Sequence, residues 1–138
     1  VKLENNYYAI AYNDLKYAEA GMATGYYNNV AAGCQQVVEK FLKYILENYC
    51  IKSGDIEIMR SHKLKTLARG VLNELDFVSI NLDDMSYLTD YYYDARYPGV
   101  DYTIVTEEEA SRCLEIAKTI LEITNSVIKV MEKREKNS

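Results

Sequence analysis

Tryptophan is absent from this 138-residue chain, and proline and histidine occur once each, at Pro98 and His62. A single histidine leaves little room for imidazole chemistry. No Glu-x-x-His pairs are present to build a di-iron bundle. One histidine and scattered carboxylates do not make a zinc site. No serine or cysteine shows a triad pattern with a histidine base. Neither GxxxxGK[ST] nor GxGxxG occurs, so the usual phosphate-cradling loops are missing. No metal and no cofactor are expected. The three cysteines, Cys34, Cys50 and Cys113, are odd in number and contain no CxxC. They read as reduced thiols, with Cys34 and Cys113 on apolar helix faces. The apolar runs are too short to span a bilayer and no signal peptide is read, so no membrane contact and a cytoplasmic setting are expected. Basic charge is also in deficit. A net charge of −5 argues against broad nonspecific nucleic-acid binding, though not against a small local basic site.

Tyrosine is in excess, at 14 residues against two phenylalanines. Its bulk and polar tip suit half-buried faces and contact surfaces. Apolar positions recur at helical spacing nearly everywhere. The first segment carries Tyr8, Ala11, Tyr12, Leu15, Ala18 and Met22 and breaks at Gly21 and Gly25. A second helix, from about Tyr26 to Tyr49, turns Val30, Cys34, Val37, Val38, Phe41, Leu42, Ile45 and Tyr49 to one side. Ser53-Gly54-Asp55 reads as the turn of a connector. Ser61 is expected to cap a third helix, with Leu64, Leu67, Ala68, Val71, Leu72 and Leu75 as its seam. A fourth helix starts after Asn81 or Asp83, faces inward through Met85, Leu88, Tyr92 and Ala95, and ends at Pro98 and Gly99. Thr106 to Glu109 has the spacing of a capping box. The last helix is expected to bury Ala110, Cys113, Leu114, Ala117, Leu121, Thr124, Ile128 and Met131. The fold class is all-α, an antiparallel up-and-down bundle of four to five helices. It forms one domain over residues 1–131, with a charged tail at 132–138 that is expected to fray.

Chemistry concentrates at Tyr91-Tyr92-Tyr93-Asp94-Ala95-Arg96-Tyr97-Pro98-Gly99. Arg96 has two readings. Its guanidinium fork suits a phosphate, with Tyr93 or Tyr97 stacked on a base or on the arginine itself. Alternatively it pairs with Asp94, Asp101 or an acid of the last helix and fixes the turn. Three adjacent tyrosines cannot all face one core, so at least one points outward. His62 is expected in the first turn of the third helix, packing there and hydrogen-bonding across to a neighbouring helix. Gln35, Gln36, Glu39 and Lys40 lie on the polar side of the long helix, where a solvated face is the default. A structural network from that helix to the Arg96 turn is the favoured alternative.

Gln35-Gln36-Val37-Val38-Glu39-Lys40-Phe41-Leu42-Lys43 resembles the QQAxEKxLK helix of HEPN domains. Arg96-Tyr97-Pro98-Gly99 is similar to the RYPG ending of that family's fourth helix. Ser61-His62-Lys63-Leu64-Lys65-Thr66-Leu67 resembles its histidine-led third helix. The likeness runs from about Asp14 to Val127. It implies a helical bundle that forms a homodimer and is encoded beside a minimal nucleotidyltransferase, as a toxin–antitoxin or defence pair. Many relatives are metal-independent ribonucleases with an arginine followed four to six residues later by a histidine. Here those positions hold Val100, Asp101 and Tyr102. Cleavage through the 2′-hydroxyl needs a base near neutral pH, and aspartate is a much weaker one than imidazole.

The resemblance therefore implies a non-catalytic interaction module, partnering a nucleotidyltransferase and binding a nucleotide or RNA near Arg96, Tyr93 and Tyr97. The alternative is a divergent ribonuclease toxin, with Arg96 stabilising phosphate and His62 or Asp101 as an unusual base. In some such pairs the partner adenylylates a tyrosine just after the nuclease motif, and Tyr102 lies close to that place.

Overall fold

The computed structural model describes residues 3–52 and 55–137. Ser53 and Gly54 of the expected connector turn lie outside them. The chain is helical throughout, with no strand among the described residues. The elements are α1 (Tyr7–Gly21), α2 (Tyr27–Tyr49), α3 (Ile56–Met59), α4 (Leu64–Glu74), α5 (Leu82–Thr89), α6 (Tyr91–Asp94) and α7 (Glu107–Lys136). Five of these run two turns or more, which agrees with the bundle expected. No helix among the described residues is long and apolar enough to cross a membrane.

The long helix α2 is the axis of the bundle, with α1, α4 and α7 packed along it and α5 and α6 at one end. Its apolar face is fully buried, from Val30 and Cys34 through Val37, Val38, Phe41, Leu42 and Ile45. At about 1.5 Å per residue it spans roughly 35 Å, close to the height expected. The polar side is not the solvated face that is the default for such residues. Gln35 and Glu39 are buried, and Gln36 and Lys40 are half-buried. Their neighbours α1 and the segment before α4 close over them.

Gly25, at φ +81, ends the 3-10 turn that follows α1, as its conformational freedom allows. Burial pushes the Cys34, Cys50 and Cys113 thiols up to about 12, so all three behave as core packing.

Several boundaries differ from the periodicity. α4 begins at Leu64 and takes no cap from Ser61, whose hydroxyl instead accepts locally from the Lys63 N–H at 3.0 Å. The Leu64 N–H, which has no partner within α4, is satisfied from another helix, by Thr89 Oγ1 at 3.1 Å. His62 thus lies in an extended approach to α4, not in its first turn. The expected fourth helix is two pieces, α5 and α6; α6 ends at Asp94, and a last i→i−4 bond, from the Tyr97 N–H to the Tyr93 carbonyl at 3.0 Å, carries helical bonding up to Pro98. Its inward residues are Met85, Leu88, Tyr91 and Ala95; Tyr91, three residues after Leu88, takes the position expected of Tyr92.

The capping of α5 by Asn81 and of α7 by Thr106 is as expected. The buried stripe of α7 includes Ile116, Ile120 and Val127, while Leu121, Ile128 and Met131 are only half-buried. A 30-residue helix with apolar residues on two flanks admits more than one stripe, and α2 selects the one that points at it. Beyond Met131, α7 continues as helix through Lys136 with exposed side chains.

Candidate functional site

Glu39 anchors the site from inside α2. Its side chain is only 7% exposed, and both oxygens are used. Oε2 accepts from Lys43 Nζ at 3.0 Å, one helical turn on. Oε1 lies 2.9 Å from His62 Nδ1 and accepts from Gln35 Nε2 at 3.3 Å. Gln35 also donates to the His62 carbonyl at 3.2 Å, and Gln36 donates to Gln35 Oε1 at 2.8 Å. No buried side-chain nitrogen or oxygen is left unpartnered among the described residues. A carboxylate that accepts at Nδ1 fixes the imidazole with its proton there and leaves Nε2 as the basic atom.

The imidazole then stacks on Tyr92, with ring centroids 4.5 Å apart and planes 16° from parallel. The Arg96 guanidinium lies over the same Tyr92 ring, 5.0 Å from its centroid. Tyr92 therefore connects the α2 network to the arginine. His62 and Arg96, 34 positions apart in sequence, share one aromatic platform. Tyr93 packs edge-on to Tyr92 at 4.6 Å and is tilted against Tyr97 at 6.0 Å. Both are exposed, at 60% and 52%.

Arg96 has no ion-pair partner among the described residues. The ion pair with Asp94, Asp101 or an acid of α7 is thus not made. Arg96 borders a cavity of about 650 Å³ between α1, α2 and the loop after α6. Asp14, Asn28, Gln36, Lys40 and Tyr102 also line it. Inside it, Lys40 Nζ and Asp14 Oδ2 are 2.6 Å apart and largely neutralise each other. Arg96 is the cation left over. A second cavity, about 570 Å³, takes in Arg60, His62, Lys63, Asp90, Tyr92 and Tyr93. Burial and the neighbouring Asp94 raise the Asp90 carboxyl above its usual range.

Asn28 was not anticipated from the sequence. Its amide donates to the Ala95 carbonyl at 3.2 Å and to the Thr103 carbonyl at 2.7 Å. Its Oδ1 accepts from the Val105 N–H at 2.8 Å. One side chain at the start of α2 thereby clamps both ends of the loop that carries Arg96. No local signal announces this, because the partners lie 67 to 77 residues away. Within the loop, Pro98, Gly99 and Asp101 are exposed, and Asp101 borders neither cavity. Tyr102 is half exposed, with its hydroxyl 3.4 Å from the Asn28 amide nitrogen. Among the described residues, no cluster of three or more histidine, cysteine or acidic side chains is arranged to hold a metal.

The HEPN domain family model matches residues 5–127, most of the chain. The protein belongs to the HEPN family, and its all-α bundle is the fold that membership implies. No curated protein and no solved structure matches it at a significant level.

Proposed function

We propose that this HEPN domain is a non-catalytic binding module that takes the phosphate of a nucleotide or single-stranded RNA on Arg96. In this reading it acts as a homodimer beside a minimal nucleotidyltransferase. The carrying observation is an arginine without an acidic partner, held over Tyr92 at the rim of a 650 Å³ cavity. That volume falls within the range of small-ligand sites. An arginine fork binds phosphate in two parallel hydrogen bonds, and the aromatic below it limits the rotamers lost on binding. Asn28 fixes the loop, so the cation is positioned before the ligand arrives.

The test is the affinity of a short fluorescent RNA for wild type and Arg96→Ala, measured with chelator present. A loss of about tenfold or more in the variant supports the module, since a charge-assisted bidentate contact is worth roughly that much. Equal affinity removes Arg96 from the site. Co-purification with a neighbouring nucleotidyltransferase tests the partner, and mass analysis of Tyr102 after co-expression tests adenylylation.

A specific observation keeps a second reading, the divergent ribonuclease of a toxin–antitoxin pair. The motif after Arg96 lacks a histidine, and what supports this reading is that His62 and Arg96 both lie against the Tyr92 ring. His62, with Glu39 behind Nδ1, presents Nε2 on the ring that also carries Arg96. Nε2 would take the proton of the 2′-hydroxyl as the 2′-O–P bond forms and the P–O5′ bond breaks, the imidazolium would return that proton to the departing 5′-oxygen, and Arg96 would balance the charge on the non-bridging phosphoryl oxygens. Cleavage by wild type that is lost in both His62→Ala and Arg96→Ala selects this reading. Binding without cleavage selects the module.

A further inference from the structure

We propose that the ring of the bound nucleotide lies in the seam between α1 and α2, flanked by Tyr17 and Tyr26, with its phosphate on Arg96. This rests on the phosphate reading of Arg96 and names the rest of the ligand. The Arg96 cavity does not end at α1. A smaller recess of about 180 Å³ shares Tyr17, Ala18 and Asn29 with it as common walls. The two form one groove with chemically different ends.

The Arg96 end carries the net cation, because Lys40 and Asp14 are paired. The far end is lined by Ala18, Gly21, Thr24, Val30 and the two tyrosines, with no acid or amine. Small residues keep its floor low. A Cβ added at Gly21 would meet Val30 Cγ2 at 3.0 Å.

Tyr17 and Tyr26 are 79% and 72% exposed, and neither ring meets another aromatic side chain among the described residues. Rings on the surface at the mouth of a recess are stacking platforms without a stack. A dry cavity of about 150 Å³ accepts one benzene ring, so the recess is on the scale of an aromatic ring. The Thr24 hydroxyl is already committed, donating to the Gly21 carbonyl and accepting from the Tyr26 N–H. The exposed Asn29 side chain stands at the junction of the two recesses. It is placed to meet the polar edge of a base. A ligand with an anion at one end and a flat, hydrogen-bonding ring at the other fits this groove. That chemistry is a nucleoside monophosphate, free or as one unstacked nucleotide of an RNA strand.

The experiment titrates the full chain with AMP, UMP, inorganic phosphate and an RNA tetranucleotide. It compares wild type, Tyr17→Ala, Tyr26→Ala and Arg96→Ala, with melting curves on each. Both tyrosines are exposed, so their variants are expected to melt like wild type. The expected result is that each tyrosine variant binds AMP about tenfold more weakly, the scale of one base–aromatic stack. Inorganic phosphate binding should stay unchanged in those variants, and Arg96→Ala should weaken every probe. A tetranucleotide that competes with AMP and shares the Tyr17→Ala loss assigns the site to strand nucleotides as well. One that fails to compete assigns it to the free mononucleotide. If Arg96→Ala loses AMP while both tyrosine variants bind it like wild type, the seam placement is overturned and the phosphate reading stands. If wild type binds none of the probes, both fall.

Discussion

Tyr91 and Tyr92 are neighbours in sequence and opposites in use. Tyr91 is 6% exposed and its hydroxyl is fully engaged, donating to Glu109 at 2.8 Å and lying 3.1 Å from the Tyr87 hydroxyl. Burial and these partners drive its phenol well above the usual range, while its hydroxyl holds the Glu109 carboxyl below the usual range. That side of α6 is a closed joint to α7, with every partner internal. Tyr92 offers a ring face instead, and the groups gathered on it are His62 and Arg96. Each tyrosine depends on one glutamate, Tyr91 directly on Glu109 and Tyr92 through His62 on Glu39. The first arrangement ends in a satisfied hydrogen bond. The second ends in a guanidinium without an acid, and that remainder is what distinguishes a site from a joint.

The comparison breaks most severely at Glu39. Glu39→Ala leaves the Lys43 ammonium, 8% exposed, without its carboxylate, and we expect a loss of about 3–5 kcal/mol. Urea or thermal unfolding measures it, and a loss below about 1 kcal/mol would mean that Lys43 finds water instead.

Tyr91→Phe removes two hydroxyl contacts at the closed joint. A cost of about 1–2 kcal/mol is expected, with ligand affinity unchanged. Its pH dependence has a definite sign. A carboxyl held below its unfolded value, about 4.3, contributes stability above that pH and loses it as pH falls through the folded value. The stability gap between wild type and Tyr91→Phe should therefore narrow on acidification below about pH 4. A gap constant down to acid unfolding would detach Glu109 from Tyr91.

Gln36→Ala removes the donor to Gln35 at the end of the Glu39 network and should cost about 1 kcal/mol. An unchanged melting temperature would reduce that residue to a solvated side chain. The smallest effect on stability belongs to Arg96→Ala, within about 0.5 kcal/mol, because the side chain is exposed and anchors no internal ion pair.

The helices themselves were largely legible. The 3.6-residue pattern located α2 and its buried face, and the Asn81 and Thr106 caps marked the starts of α5 and α7. Legibility failed where a distant partner decided the outcome. Ser61 looked like a cap, but the cap of α4 comes from Thr89, 25 residues on. Gln35 and Glu39 read as a network toward the Arg96 turn, against a solvated default, but nothing local reports that the His62 segment is what they bond first. On α7 the expected Ala110, Cys113, Leu114, Ala117 and Thr124 are buried, while Leu121 and Ile128 give way to Ile120 and Val127, since apolar side chains flank the stripe on both sides and packing against α2 chose between them. Arg96 stood out as a candidate beside the lone proline. His62 stood beside it as a candidate base, but their meeting place was not legible, because 34 residues separate them and only the fold brings both to Tyr92. Asn28 was invisible for the same reason.

One paired measurement tests the central claim most directly. It is the affinity for a short RNA or a nucleoside monophosphate, with the melting temperature of the same sample, for Arg96→Ala and Tyr91→Phe beside wild type. The account predicts a double dissociation. Arg96→Ala keeps its melting temperature and loses about tenfold or more in affinity, whereas Tyr91→Phe melts lower and binds like wild type. If Arg96→Ala binds as tightly as wild type, the unpaired arginine is not a ligand site and the contrast between the two tyrosines carries no functional meaning.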